Sequence, residues 1–407
     1  MLSVDEARAR VLAAIRPVEP VESLIGDAQG KVLAGDLRAP HPLPRFDNSA
    51  MDGYAVIATD VAAATPEVPV ALELGGEVRA GQSADEKVLA GTAIRIMTGA
   101  PVPEGADAIV PVEDTEESGG RVSIAAATEA GRHIRPAGDD LAEGDVLVRD
   151  GVELGPGEMA LLASTGMSPV RVREGPRVAI LVTGDELVPP EATPEPGFIR
   201  DSNSVALRAL VAEAGGEPIP FPPIPDDREA VVAQFRRAAE LADLVISSGG
   251  VAVGRYDFVK EVVEELGRID LWRVAMQPGK PVVLGAIGAT PFLGLPGNPV
   301  SIHVGFEQFV RPAIRKMRGC RSLLRPTLEA RLTEAIHKQP GRLHFVRVRL
   351  RDEGEGWLAE PTGAQGSHVQ SSLVECHGVA RFDRDALELP AGSDVVVEVW
   401  NLPEADA

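Results

Sequence analysis

Short apolar runs alternate with helical patterns between residues 176 and 320, and this alternation constrains the possible folds more than any other feature. Residues 177–183 (RVAILVT) form a nearly continuous apolar run, which is typical of a strand buried on both faces of a parallel sheet. Further strands are predicted near Ile219 and at residues 243–247, 271–275 and 292–295, and helices are predicted to begin at Ser202 or Asn203, at Asp227 and at Asp257 and to cover residues 299–317. This order predicts a doubly wound α/β domain.

The segments on either side of this region have different patterns. Residues 1–15 have the apolar periodicity of an amphipathic helix, and further helices are predicted at residues 23–33 and 158–164. Residues 45–150 instead contain short β-favouring runs separated by glycine-containing turns. Because helices flank this β-rich block, we interpret it as an insertion into a helical domain. Beyond Pro326 the helical pattern disappears, which predicts a small all-β domain.

The charge balance argues against two classes of partner. The chain has 61 acidic and 40 basic residues and a formal charge of −21, whereas nucleic acids and membrane surfaces are themselves anionic. Cys320 and Cys376 are too few for a disulfide framework or a four-thiolate zinc site. No apolar run approaches the roughly 18 residues of a membrane span, and the N-terminus lacks a signal-peptide pattern. We therefore expect a cytoplasmic protein without nucleic-acid or membrane partners.

Loops rich in glycine, proline and polar residues follow the predicted strands. They are residues 183–187 (TGDEL), 247–257 (SSGGVAVGRYD), 277–281 (QPGKP) and 296–301 (PGNPVS). Glycines let backbone N–H groups approach an anion, and helix N-termini favour negative charge. Each loop alone is as consistent with a tight turn, but four at successive strand ends indicate a ligand site. The absence of Walker-type and GxGxxG patterns disfavours an NTPase or a dinucleotide dehydrogenase.

Residues 47–56 (DNSAMDGYAV) resemble the MDGYA signature of the molybdopterin molybdenumtransferase family, which includes bacterial MoeA and the E domain of gephyrin. The similarity continues through the four loops above and through three more segments. These are residues 95–101 (RIMTGAP), 134–140 (IRPAGDD) and 366–373 (GSHVQSSL). The resemblance therefore covers nearly the whole chain in order.

The resemblance implies a reaction and an architecture. Members of the family insert molybdenum from molybdate into adenylylated molybdopterin and release AMP, assisted by Mg²⁺. The implied fold is multidomain α/β plus β. Its parts are an elongated helical dimerisation domain (residues 1–44 and 141–175), an inserted β domain (45–140), a doubly wound α/β molybdopterin-binding domain (176–322) and a C-terminal β domain (323–407). The implied cleft is shared between the subunits of a homodimer, and the apolar face of the first helix motivates the prediction of that dimer.

The resemblance also implies roles for individual residues. The predicted catalytic residues are Asp52, Asp140, Glu186, Asp257 and Lys280, of which Asp52, Glu186 and Asp257 are the predicted metal ligands. The predicted substrate-binding residues are Thr98, Arg135, Asp226 or Asp227, Ser248, Gly249, Gly250, Gly254, Pro296, Gly297, Asn298, Pro299, Arg342, Arg347 and Ser367. These roles agree with the chemistry, because Mg²⁺ prefers carboxylate and phosphate oxygens, and Lys or Arg neutralises phosphate or molybdate charge.

Two residues depart from the commonest family pattern. Gln277 stands where many members have a lysine or arginine, and Ala252 replaces a frequent serine, so anion binding is expected to be weaker. The alternatives are a molybdopterin-binding scaffold without turnover and a tungsten-inserting homologue, since molybdate and tungstate are tetrahedral dianions of similar size. An adenylyltransferase is disfavoured, because that activity needs no MDGYA segment. Candidate partners are a molybdopterin adenylyltransferase and molybdoenzyme maturation factors.

Overall fold

A computed structural model describes residues 1–250, 258–354 and 356–403. The chain divides into two compact units. Unit 1 contains residues 1–35, 150–155 and 169–407, and unit 2 contains residues 36–149 and 156–168. The predicted boundaries near residues 44, 140, 175 and 322 divide the chain more finely than these units, and they stay a prediction. Within the described residues, no helix combines the length and the apolar content that a membrane span requires.

Unit 1 begins with helix α1 (Val4–Ala14), and Ser3 and Glu6 form a capping box at its N-terminus. Its apolar side chains at positions 4, 7 and 11 are buried in the main core, together with apolar residues of the last helices of the α/β region. The face that motivated the predicted dimer is therefore covered within the chain itself. This packing removes that argument for a dimer.

The predicted helix at residues 23–33 is wrong. This segment instead contains strand β1 (Val21–Ser23), a single 3₁₀ turn at Ile25–Asp27 and strand β2 (Val32–Leu33). Gly30 has a φ of +72°, in the left-handed region that ends helices and favours glycine. Both strands pair with a later strand of unit 1, and that long-range pairing overrides the local helical pattern.

Unit 2 is mainly β-structure, as predicted for the inserted block. Its strands are β3 (Leu37–Arg38), β4 (Asn48–Ser49), β5 (Gly53–Val56), β6 (Val70–Val78), β7 (Thr92–Ile96), β8 (Ala108–Pro111), β9 (Thr115–Ser118), β10 (Arg121–Ile124), β11 (Ile134–Arg135) and β12 (Val146–Val148). Six of them form one sheet in the order β8-β5-β7-β6-β10-β9. Helix α2 (Pro156–Ser164) matches the predicted helix at residues 158–164 and completes the unit.

The rest of unit 1 starts with an α/β region. Its strands are β13 (Val170–Arg173), which pairs with β1 and β2, then β14 (Arg177–Val182), β15 (Leu187–Val188), β16 (Ile199–Arg200), β17 (Glu217–Pro220), β18 (Leu244–Ser248), β19 (Gly267–Trp272), β20 (Met276–Gln277), β21 (Val283–Ile287) and β22 (Thr290–Leu295). Its helices are α3 (Ser202–Glu213), α4 (Arg228–Leu241), α5 (Val259–Leu266), α6 (Pro299–Gly305) and α7 (Arg311–Met317), with a π-helical segment at Phe306–Val310. Helices cover both faces of the main sheet, because α3 and α6 share one apolar core with it and α4 and α5 share another.

The main sheet has the order β17-β14-β18-β22-β21-β19. The first four strands are parallel, as predicted, whereas β21 and β19 are antiparallel to their neighbours. Strand β21 was missed, and the predicted strand at residues 271–275 lies earlier, at β19. Gly285 explains part of the weak β21 signal, since a Cβ there would lie 2.3 Å from the carbonyl oxygen of Arg268 on the paired strand.

The C-terminal region is a small β domain, as predicted. Its strands are β23 (Thr327–Leu332), β24 (Ile336–His337), β25 (Leu343–Asp352), β26 (Trp357–Pro361), β27 (Gly378–Phe382), β28 (Glu388–Leu389) and β29 (Asp394–Val399). Five of these strands close into a barrel in the order β25-β26-β23-β29-β27, because β27 also pairs with β25. Strand β20 extends this sheet by pairing with β25. That pairing joins the turn after β20 to the barrel.

Candidate active site

A cleft of about 800 Å³ lies at the edge of the main sheet where its parallel strands end. Loops that follow β14, β18 and β22 line it, together with the turn between β20 and β21 and one loop of the barrel. The predicted site residues that line it are Glu186, Gly250, Lys280, Pro296, Gly297, Asn298, Pro299, Arg342 and Ser367. Ligands bind at this edge in open α/β sheets, so the cleft is the candidate active site.

The loop after β22 brings the barrel to the start of α6. Asn298 occupies the N-cap position, but its side chain does not cap its own helix. Its Nδ2 donates instead to Oγ of Ser367 in the barrel loop, at 3.0 Å. The backbone N–H of Val300, in the first turn, donates to the carbonyl oxygen of Ser367 at 3.2 Å. These two bonds fix the barrel loop at the helix start and shape one wall of the cleft.

The loop after β18 begins with a tight glycine turn. Gly249 and Gly250 have φ values of +87° and +68°, which favour glycine. A Cβ at Gly250 would lie 2.2 Å from Cγ2 of Val259, so only glycine fits there. Ser248 is buried behind this turn and accepts a hydrogen bond from Asn203. The predicted site residues Asp257 and Gly254, and the departure at Ala252, lie outside the described residues.

Acidic side chains collect at the loop after β14. Asp226 lies beside them, since its backbone N–H donates to Oδ1 of Asp185 at 3.0 Å. Partial burial and the negative charges of Asp185 and Glu186 raise the pKa of Asp226. The carboxylate of Asp227 instead caps helix α4, where it accepts a hydrogen bond from the backbone N–H of Ala230. Of the two predicted alternatives, the structure therefore places Asp226 with Glu186.

Two basic side chains, Lys280 and Arg342, also line the cleft. Lys280 is exposed and follows Gly279, which has a φ of +102°. Arg342 is half-buried and directly precedes β25. Neither cation has a carboxylate oxygen within 4.0 Å among the residues that the structure describes. The cleft therefore combines these two cations with the carboxylate of Glu186.

Arg347 does not reach the cleft as a free cation, which corrects the prediction that it guides an oxyanion. Its side chain is fully buried. Nε donates to Oγ of Ser372 at 2.7 Å, and Nη2 donates to the carbonyl oxygens of Ala364 and Gly366. Burial lowers its pKa to about 10. The guanidinium therefore holds the barrel loop that carries Ser367.

The remaining predicted residues belong to unit 2. Oδ1 of Asp52 accepts from the backbone N–H of Thr98 at 2.7 Å and from its hydroxyl at 2.8 Å. These two bonds lower the pKa of Asp52, with the backbone bond as the larger cause. Arg135 lies in β11 opposite Asn48, and the side chains of Arg135 and Asp140 are exposed. Thr98 is thus a positioning residue for Asp52 in this unit.

Family models match almost the entire chain. The MoeA N-terminal region (domain I and II) matches residues 2–166, a probable molybdopterin binding domain matches residues 179–316, and the MoeA C-terminal region (domain IV) matches residues 329–400. Molybdopterin molybdenumtransferase 2 of Mycobacterium tuberculosis is 39% identical over 99% of this chain and 100% of its own length. The chain belongs to the molybdopterin molybdenumtransferase family.

Other relatives and solved structures agree with this assignment. The molybdopterin molybdenumtransferase of Haemophilus influenzae is 35% identical over 98% of this chain and 99% of its own length. The crystal structure of a molybdopterin biosynthesis MoeA protein from Pyrococcus horikoshii has a TM-score of 0.85 and 33% identity, and it covers 98% of this chain and 99% of that one. Family membership makes the chain an enzyme of molybdenum cofactor biosynthesis, with a multidomain α/β fold and a barrel-like C-terminal domain.

Sequence reasoning missed several residues that line the cleft of this molybdopterin molybdenumtransferase family member. They are Arg200, Asp201, Ser202, Asn203, Gln365 and His368. Asn203 donates both to Oγ of Ser248 and to the carbonyl oxygen of Gly297, so it ties two of the strand-end loops together. Ser202 accepts from Gln370 of the barrel loop at 2.7 Å. A polar run at the start of a helix beside strand-end loops was the signal available in the sequence.

The contact between Thr98 and Asp52 gives a pH prediction for this transferase. Because hydrogen bonds to the ionised form lower the pKa of Asp52, Thr98→Val is expected to raise that pKa towards its ordinary value. The stabilising effect of the bond is present at neutral pH and is lost as the pH falls through the folded pKa of Asp52. Carboxyl-detected NMR titration measures the shift. Thr92→Val, which alters a hydroxyl bonded to Leu89, is the matched control, and an unmoved Asp52 titration would contradict the assignment.

Proposed function

We propose that the chain inserts molybdenum from molybdate into adenylylated molybdopterin and releases AMP, with Mg²⁺ as the assisting cation. The observation that carries the proposal is that Lys280 and Arg342, which have no carboxylate partner among the described residues, line the same cleft as Glu186 at the ends of parallel strands. A phosphoanhydride ligand needs positive charge at its phosphates, and carboxylates in the same cleft suit a cation that bridges protein and phosphate. The cleft offers both.

The donor set fits Mg²⁺ in the way that phosphate-handling sites usually bind it. Mg²⁺ is commonly held by one or two carboxylates together with substrate phosphates. Among the described residues no group of three His, Cys, Asp or Glu side chains could hold a metal ion by itself. Glu186 and Asp226 would hold Mg²⁺ here, because Asp226 lies beside Asp185 and Glu186 and a cation would relieve the repulsion among these carboxylates. Bound there, Mg²⁺ would neutralise phosphate charge.

The chain's own residues bind and orient the ligand. Gly250, with its positive φ, lets the backbone approach the ligand closely, and Asn203 keeps this turn and the loop at Gly297 at a fixed separation. Lys280 and Arg342 stabilise the negative charge that develops on phosphate when the bond to AMP breaks. The loop that Arg347 holds covers the cleft from the barrel side. These contacts position the phosphate between cations and carboxylates.

The test measures AMP by chromatography after purified protein is incubated with adenylylated molybdopterin, Mg²⁺ and molybdate. AMP release should require the protein and Mg²⁺, and molybdopterin should acquire molybdenum. A parallel reaction with tungstate distinguishes a tungsten-inserting homologue. Binding of adenylylated molybdopterin without AMP release in either reaction would show a scaffold and contradict the proposal.

We also propose that the working form is a homodimer whose clefts combine the Asp52 region of one subunit with the Glu186 cleft of the other. Light scattering should then give twice the chain mass of 42.8 kDa. In a mixture of Asp52→Ala and Glu186→Ala chains, each mixed dimer would have one intact site. Random mixing should restore about a quarter of the parent's activity. A monomer at micromolar concentration, or no restoration in mixed dimers, would contradict the shared cleft.

A further inference from the structure

Arg200 lines the candidate active-site cleft, and the proposed function gives this positive charge no role. The side chain is exposed, and its Nε donates to the carbonyl oxygen of Ala192 at 3.0 Å. No carboxylate oxygen lies within 4.0 Å of it in the part of the chain that the structure describes. Because the guanidinium is anchored through Nε, both terminal nitrogens can donate to a further partner, and neither has a hydrogen-bond acceptor among the described residues.

The backbone around Arg200 is well fixed. Strand β16 pairs with β15, since the N–H of Ile199 donates to the carbonyl oxygen of Glu186 and the N–H of Asp201 donates to that of Val188. Asp201 is buried, and its carboxylate caps helix α3 by accepting from the N–H of Ser204. The carboxylate of Asp201 is therefore used to cap helix α3. The pairing of β16 with β15 holds the backbone of Arg200 beside the loop that contains Glu186.

The cleft lining has three basic side chains, Arg200, Lys280 and Arg342, and two carboxylates, Glu186 and Asp201, of which Asp201 caps helix α3. None of these three cations has a carboxylate oxygen within 4.0 Å among the residues that the structure describes, and Gln277 in the same lining is neutral. We infer that Arg200 contacts a tetrahedral oxyanion, which is either a phosphate of adenylylated molybdopterin or molybdate. The inference rests on the proposed function and adds a specific residue to it. Arginine suits this role, because its planar fork binds phosphate-like oxygens in a bidentate manner.

Separate titrations with AMP and with molybdate test the inference by calorimetry and distinguish the two oxyanions. Arg200→Gln should weaken binding of at least one of them about tenfold at low salt, and less at high salt. The matched control is Arg208→Gln, which removes the same charge from helix α3 at a residue that does not line the cleft. Equal affinities in Arg200→Gln and the parent, or an equal loss in Arg208→Gln, would overturn the inference.

Two further variants extend the test, and the first of them keeps the inference falsifiable if Arg200→Gln folds poorly. Arg200→Lys keeps the charge but loses the fork, so it should retain part of the affinity. Adding Gln277→Lys to Arg200→Gln places a new cation in the same cleft and should recover part of the lost binding. Parent-like affinity in Arg200→Lys with no recovery by Gln277→Lys would overturn the bidentate contact. If the parent binds both anions but releases no AMP, the proposed function fails while the contact of Arg200 is still tested.

Discussion

Glu186→Gln is expected to lower the rate of magnesium-dependent AMP release by about 100- to 1,000-fold. Glu186 lines the cleft, and its side chain has no described role in packing. The substitution keeps the shape of the side chain and removes a full negative charge from the proposed cation site. Loss of such a carboxylate typically costs several kcal/mol of charge stabilisation in the transition state. Thermal stability should change little, because an exposed loop residue contributes little to packing.

Glu191→Gln is the matched control for this variant. Glu191 lies in the exposed loop that follows Glu186, outside the lining of the cleft, and the substitution changes the net charge by the same amount. It should release AMP at the parent rate. Glu186→Gln should also lower the pKa of Asp226, because one of the charges that raises it is removed. Parent-like AMP release in Glu186→Gln at saturating Mg²⁺ would refute the assignment.

The sequence indicated where the cleft lies, but it did not indicate all of the residues that line it. Apolar runs at β14, β18 and β22 identify parallel strands. The carboxyl ends of parallel strands lie at one edge of a sheet, so the loops that follow these strands are expected to meet there. Glu186, Gly250 and the Pro296–Pro299 segment accordingly line one cleft. The resemblance added a role for Lys280, whose loop the strand-end pattern had already indicated, and it added the barrel loop. The approach of that loop to the sheet depends on contacts between residues about 70 positions apart, such as Asn298 and Ser367.

The errors arise where long-range pairing or burial decides the outcome. Residues 23–33 have a helical apolar pattern, yet β1 and β2 pair with β13, more than 130 positions away. Arg347 belongs to a segment with an arginine-rich pattern, and the sequence does not show that three acceptors enclose its guanidinium. Arg200 and Asn203 were missed because a proline-rich loop separates them from the TGDEL motif. Their position depends on the short β15–β16 pairing.

Lys280→Ala is expected to weaken binding of phosphate- or molybdate-bearing ligands by roughly ten- to a hundredfold at low salt, or about 1.5–3 kcal/mol. The net charge of −21 repels anions at long range, so local cations must attract them where they bind. Lys280 lies between two prolines in a turn that Gly279 closes with a positive φ, and it lines the cleft without a carboxylate partner among the described residues. Gln277, in the same cleft, is neutral.

A structural role for Lys280 leads to a different result. If Lys280 only pointed into solvent, Lys280→Ala would change stability by no more than about 0.5 kcal/mol and leave affinity unchanged. Titrations of molybdate and molybdopterin at two ionic strengths separate these cases, because screening reduces the difference between parent and variant at high salt. Lys260→Ala, on helix α5 outside the cleft lining, controls for the loss of one positive charge. Equal affinities of the parent and Lys280→Ala for both ligands at low salt would show that the lysine does not bind the anion.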